Sequence, residues 1–274
     1  MQKDSVKSRM ETGISFTEFS YMLLQAYDFA RMHAKDGVSL QLGGSDQWGN
    51  ITAGTELIRR TTRGEAHGLT FPLLTDAQGK KFGKTEAGAV YLDARLTSVY
   101  KFYQFWINAE DADVGKLLRT FTLLGREEIE ALEQAHGAAP HERGAQKRLA
   151  REVTTLIHGA AAAATAEAVS RTVFDKKVAV ESLADEVFAM LAAEMPSVAV
   201  RAEADGVSVV DALATAFTLS KTAARKLVQQ GAVSVNGVKL AADATHAAAD
   251  GAVRGRWMLL RKGARELAVL DIAR

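Results

Sequence analysis

The sequence predicts three folded parts in series: an α/β layer with a mostly parallel sheet over residues 1–96, an all-helical part over 97–175, and a small α+β module over 207–274. A connector over 176–206 joins the last two. Three observations predict this. Helix and strand patterns alternate up to about residue 96, the order that builds a parallel sheet with crossover helices. From Ser98 to about Thr172 the apolar period is helical throughout. After Val207 come two short helical patterns, then strand and hairpin signals.

In the first part, Ile14 to about His33 reads as a helix, because Phe16, Phe19, Leu23, Ala26, Tyr27 and Ala30 recur at three- and four-residue steps. Val38–Leu42 alternates like a strand, and a helix runs from the glycines that follow it to Arg60. Leu69–Leu74 reads as a second strand containing Pro72, followed by the glycine-rich basic loop Gln78–Thr85. In the helical part the clearest patterns are Val99–Trp106, Glu127–Gln134 and Ala145–Ile157. Arg126-Glu-Glu-Ile puts acids in a first helical turn, where the helix dipole favours them. Residues 175 to 206 are rich in alanine and charge and carry one helical pattern, Leu183–Ala193. In the last part the helices are Val210–Phe217 and Ala223–Gln230, with Ser220 as an N-cap and Gly231 as a stop. Ala232–Val235 is a strand, Asn236-Gly237 a hairpin turn, and Trp257–Leu260 another strand before the basic turn Arg261-Lys262-Gly263.

Composition narrows the class. Of 274 residues, 47% are hydrophobic and 24% charged, the mix of a globular protein. No run approaches the roughly 18 apolar residues of a membrane span. The opening residues lack the apolar core of a secretory signal, and the chain has no cysteine, which excludes disulfides and thiolate metal sites. A cytoplasmic protein is expected. Of the six histidines only His136 and His141 are close, and Pro140 between them spoils a shared helical face, so no metal site is expected. Net charge is +1, but Val207–Arg274 holds ten Lys and Arg against five Asp and Glu. A basic module behind an acidic body points to an anionic partner such as RNA, against the plainer reading of ordinary surface charge.

Three motifs carry chemistry. Lys81 and Lys84, three residues apart on a loop with Gly79 and Gly83, can both reach one polyphosphate; the alternative is a basic surface loop. Gly43-Gly-Ser-Asp-Gln47 lies between a strand end and a helix, where open α/β sheets bind ligands. There glycine admits close backbone approach and Asp46 can hold a ribose hydroxyl pair, unless the segment is only a tight turn. Tyr21, Gln25 and Asp28 stand on one helical stripe among apolar neighbours and are expected to line a pocket able to read an ammonium and a hydroxyl; the alternative is a solvated polar stripe, which Phe19, Leu23, Leu24 and Phe29 around it argue against.

Ile14–Tyr21, Leu24-Gln-Ala-Tyr-Asp28, Gly43-Gly-Ser-Asp-Gln-Trp-Gly-Asn-Ile-Thr52, Lys81-Phe-Gly-Lys-Thr85 and Tyr103–Asn108 together resemble the bacterial-type tyrosyl-tRNA synthetases in order and spacing. The resemblance implies a partial Rossmann-like catalytic domain, a helical domain facing the anticodon arm, and an S4 RNA-binding domain. It implies ATP-dependent activation of tyrosine and transfer to tRNA(Tyr), with Mg2+ accompanying ATP and no tightly bound cofactor. It further implies that Tyr21, Gln25 and Gln47 hold the tyrosine ammonium and Asp28 the phenol. Gly44 and Asp46 would bind the adenylate, and Lys81, Lys84 and Thr85 would stabilise the triphosphate as pyrophosphate leaves. Lys221, Arg225, Lys226, Arg261 and Lys262 would sit on RNA phosphates, and Phe16 at a homodimer contact. The family's HxGH signature has no match in the sequence, so a fragment without the first third of the enzyme, inactive by itself, is expected. The alternative is a non-catalytic RNA-binding paralogue.

Overall fold

The computed structural model describes residues 13, 15–75, 84–85, 88–175, 177–264 and 266–273, without the side chains of Glu18, Phe19, Lys84 and Thr85. They fall into two units, Met1–Thr85 and Glu86–Arg274.

In the first unit, α1 (Phe16–Asp36) ends at Gly37, whose φ of +70° suits the left-handed residue that closes a helix. Buried Ala26 and Phe29 pack it against α2 (Trp48–Thr62), which buries Ile51 and Ile58. The two helices approach closely because Gly54 has no side chain: a Cβ there would lie 2.8 Å from Phe29 Cδ1. Strands β1 (Leu40–Gly44) and β2 (His67–Phe71) pair in parallel, Leu40 opposite His67 and Gly44 opposite Phe71, with α2 as the crossover. The second strand therefore starts earlier than the sequence suggests and stops at Phe71, since Pro72 has no N–H to extend the ladder. One sheet face meets α2 through Gly43 and Gly68, both against Ile51. The other carries Leu40, Leu42, Leu69 and Phe71, all exposed. The unit closes with the two-residue strand β3 (Lys84–Thr85).

The second unit opens with β4 (Gly88–Ala89) and then a helical body: α3 (Val99–Ile107), α4 (Val114–Phe121), α5 (Arg126–Ala138), α6 (Gly144–His158) and α7 (Ala160–Phe174). Ser98 caps α3, its hydroxyl accepting from Lys101 N–H at 3.2 Å. Buried Tyr100, Phe102, Tyr103 and Trp106 make α3 the centre against which α6 and α7 pack.

The segment read as a connector is ordered structure. It holds α8 (Asp185–Glu194) and an unexpected strand, β5 (Ser197–Arg201), which pairs in parallel with β11 (Glu266–Ala273). Beyond it come β6 (Val207–Ser208), α9 (Val209–Ala216), α10 (Lys221–Gln229), β7 (Val233–Val235), β8 (Val238–Lys239), β9 (His246–Ala247) and β10 (Trp257–Lys262). Ser220 caps α10 through Ala223 N–H, and Gly231 follows the helix at φ +63°. The five-stranded sheet runs β5-β11-β10-β7-β8. Its central pair buries both faces. Met258, Leu260, Ala268 and Leu270 join a core with α9 and α10, while Trp257, Leu259, Leu267 and Val269 join Phe188 of α8, Val169 of α7 and Tyr100 of α3.

At the β7–β8 turn, Asn236 (φ 48°) and Gly237 (φ 82°) have the paired positive angles of a type I′ hairpin. The Asn236 side chain also accepts from Leu259 N–H and donates to the Gly251 carbonyl, both at 2.8 Å. Asn236→Ala therefore loses two hydrogen bonds and strains a left-handed residue. It is expected to lower unfolding free energy by about 2 kcal/mol in urea titration, whereas Asn236→Gly relieves the strain but not the lost bonds. At the end of α6, His158 packs edge-on to Phe102, ring centroids 4.8 Å apart, and burial pushes its imidazole below the ordinary value of 6.5. The unfolded chain then takes up a proton that the folded chain refuses, so stability falls as pH drops through about 6.5. His158→Leu is expected to flatten that part of a stability–pH profile measured by thermal unfolding.

Candidate functional site

The segment Gly43–Gln47 sits at the carboxyl end of β1, where a 3₁₀ turn (Ser45–Gln47) leads into α2. Gly44 is extended (φ −68°, ψ 161°), so its glycine identity is about space: a Cβ would lie 2.6 Å from Asp46 Oδ1 and 3.0 Å from Leu73. The Asp46 carboxylate is thus folded back over bare backbone. It is exposed, accepts from Gln47 Nε2 at 3.4 Å, and Gln47 in turn accepts from Asn50 Nδ2 at 3.1 Å. This chain of polar groups at a parallel strand end gives an outward acceptor beside a surface that admits close approach, the requirement for a sugar–phosphate ligand.

The stripe on α1 is less enclosed than the sequence suggests. Tyr21 and Asp28 are exposed, because Leu23, Leu24 and Tyr27 beside them are uncovered as well. Gln25 is half-buried and reaches β1, its Nε2 lying 3.5 Å from Gln41 Oε1. Its own Oε1 is buried without a hydrogen-bond partner. A buried acceptor left unpaired is uncommon and fits a site completed by a ligand's donor. Gln41 escaped the sequence reading, although an amide between two leucines in a parallel strand is itself a signal. Lys81 lies outside the described residues, and Lys84 and Thr85 are described in backbone only. The structure therefore brings Gln25 to β1, and Gly44, Asp46 and Gln47 to one turn. Phe16 is 85% exposed at the start of α1.

The basic residues of the last part divide in two. On α10, Arg225 and Lys226 are exposed, and Lys221 is exposed but paired with Asp211 at 2.7 Å, which holds the Asp211 carboxyl below its ordinary value. The two at the end of β10 are turned inward. Arg261 donates to the carbonyls of Thr172 (2.7 Å) and Val173 (3.0 Å), and burial pushes its guanidinium below the ordinary value. Lys262 pairs with Glu266 at 2.8 Å and lies 4.6 Å from the Phe217 ring centroid. The strand's alternation causes this: its end is packed on both faces, and the long stems follow the apolar surface. Among the described residues no group of three or more His, Cys, Asp or Glu could hold a metal, and no helix is long and apolar enough to cross a membrane.

A family model described as tRNA synthetases class I (W and Y) matches residues 1–175, and one described as a tyrosine–tRNA ligase SYY-like C-terminal domain matches 187–270. The tyrosine–tRNA ligase of Roseiflexus castenholzii is 52% identical over 97% of this chain and 63% of its own length. That of Geobacillus stearothermophilus is 49% identical over 100% of this chain and 65% of its own. The chain thus spans just under two thirds of the length of these relatives. Two crystal structures of C-terminally truncated mitochondrial tyrosyl-tRNA synthetases are also similar. The Coccidioides posadasii one is 36% identical with a TM-score of 0.51, covering 60% of this chain and 48% of that one. The Aspergillus nidulans one is 35% identical with a TM-score of 0.52, covering 63% and 49%. With residues 1–175 matched and a parallel β-α-β unit in the structure, the chain belongs to the class I tRNA synthetases of the W and Y type.

Proposed function

We propose that this chain performs part of the work of a cytoplasmic tyrosine–tRNA ligase, using ATP, with Mg2+ accompanying it, to activate tyrosine and then charge tRNA(Tyr). The observation that carries the reading is the match to two tyrosine–tRNA ligases across 97–100% of the chain. In the first step a carboxylate oxygen of tyrosine attacks the α-phosphorus of ATP, and the bond to the bridging oxygen of pyrophosphate breaks. In the second a ribose hydroxyl at the tRNA 3′ end attacks the activated carbonyl, and AMP leaves. Neither needs a strong general base if the reactants are held in line and the developing charge is met by fixed cations and dipoles.

The residue roles proposed are those that the family resemblance implies. Gln25, with its unpaired buried oxygen, and Gln47 and Tyr21 beside it in the motif series, receive the tyrosine ammonium. Asp28 accepts from the phenol. Asp46 holds the ribose over Gly44, and Lys81, Lys84 and Thr85 close on the triphosphate. The working division remains residues 1–96, 97–175 and 207–274, with α8 and β5 of 176–206 counted with the last part. The helical body faces the anticodon arm, and Lys221, Arg225 and Lys226 lie on RNA phosphate. Phe16 marks a homodimer contact.

The test replaces the matching residues of the Geobacillus stearothermophilus enzyme with this chain and measures tyrosine-dependent ATP–pyrophosphate exchange. Exchange is expected, lowered about 10²–10³-fold by Lys81→Ala or Lys84→Ala, the cost of removing one charge-stabilising group. Asp28→Ala is expected to lose most of a discrimination against phenylalanine of order 10⁴–10⁵, because that selectivity comes from a site built around the hydroxyl. Exchange indifferent to the lysine changes, or unchanged selectivity in Asp28→Ala, contradicts the assignment.

A further inference from the structure

Arg261 is the penultimate residue of β10, where the sequence offers a cation to RNA, yet its guanidinium faces α7. Two separate Nη atoms donate to two successive carbonyls, Thr172 at 2.7 Å and Val173 at 3.0 Å, across 89 and 88 residues of chain. Those carbonyls belong to the last turn of α7, where a helix has no N–H of its own to offer. Asp175 N–H closes on Arg171, and the Arg261 fork serves the next two carbonyls, those of Thr172 and Val173. They also carry the negative end of the helix dipole. A planar fork spans adjacent carbonyls; an ammonium, a single point of charge, does not. Around them Val173, Leu259 and Leu267 are buried, so water competes poorly for these bonds.

We propose that Arg261 is a positioning residue: by capping α7 from the sheet, it fixes the angle at which the C-terminal module stands on the helical body. That angle sets the distance between the exposed cations of α10 and any RNA-facing surface of the body. The protein half of the inference is independent of the proposed function; its consequence for tRNA rests on that reading.

The absence of cysteine makes the test direct. Cysteines replacing exposed Ala164 on α7 and exposed Lys239 on β8 carry a donor and acceptor dye on the full chain, with no RNA present. The parent is expected to give one narrow distance distribution, and Arg261→Lys and Arg261→Ala to broaden it alike. In filter binding to a tRNA(Tyr) transcript both variants are expected to bind roughly tenfold more weakly, through loss of effective concentration between the two surfaces, with the salt dependence unchanged. A broad parent distribution, or narrow ones in both variants, overturns the inference. So does binding restored by lysine while alanine reduces the log–log salt slope by about 0.9, the signature of a lost phosphate contact. If Arg261→Ala does not fold, Arg261→Lys, which keeps stem and charge, carries the comparison. A parent with one narrow distribution that fails to bind tRNA(Tyr) sinks the proposed RNA role and leaves the positioning role standing.

Discussion

The C-terminal half of the chain depends on two adjacent strands that bury side chains on both faces. In β10 and β11 successive residues alternate between two cores, Met258 and Leu260 toward α9 and α10, Trp257 and Leu259 toward α3, α7 and α8. Burial of both faces is usual in parallel sheets; here an antiparallel pair does it because helices cover both sides. Stacking of Trp257 on Phe188, centroids 5.6 Å apart and planes within 1° of parallel, fixes α8 against that second face. The basic module and the helical body are consequently one folded unit, and the cations of α10 are carried on a support braced from behind.

The Gly43–Gln47 turn rests on another close-packing constraint. Gly43 and Gly68 let Ile51 of α2 sit directly on the parallel pair, and that contact places the start of α2 just beyond the end of β1. The Asp46 carboxylate can fold back over the turn because nothing larger than hydrogen stands on Gly44. Fixed polar groups at a strand end, rather than a reactive side chain, suit the adenylation proposed for this chain, a reaction whose barrier falls chiefly through alignment and charge compensation. The unpaired oxygen of Gln25 points to the same economy of means: a buried acceptor held ready by an amide pair with Gln41.

Much of this was legible in the sequence. The helical period gave α1, α3, α5 and α6 to within about four residues but set no bounds for α4 and α7, and Ser220, Gly231 and Asn236-Gly237 marked the cap and stop of α10 and the β7–β8 turn through chemistry that acts locally. Strand β5 was not legible, because Ser197–Arg201 lies among alanines and charges and becomes a strand only through its pairing with β11. The enclosure of the α1 stripe was overread, since periodicity identifies a face but not what covers it. Arg261 and Lys262 show the same limit for charge. A basic dipeptide at a turn looks solvent-facing, and only the tertiary neighbours (two helix carbonyls, Glu266 and a phenyl ring) turn both inward. Gln41 was readable in principle, as an amide inside an apolar strand, but its pairing with Gln25 depends on the packing of α1.

The helical body and the C-terminal module share one core, and a shared core requires that they unfold together. The three tryptophans allow a direct measurement, since Trp106 reports on α3 of the body and Trp257 on β10 of the module. Urea unfolding would be followed by fluorescence in two variants, each retaining one of these two as its sole tryptophan, with the others changed to phenylalanine. Each would be referenced to the far-ultraviolet signal of the same sample, so that any destabilisation by the substitutions cancels. The predicted result is that the Trp106 and Trp257 transitions fall at the same position relative to the far-ultraviolet transition of their own samples. A Trp257 transition that precedes the Trp106 transition, each displaced from the helix signal of its own sample, would contradict a shared core and make the module an independently folding appendage.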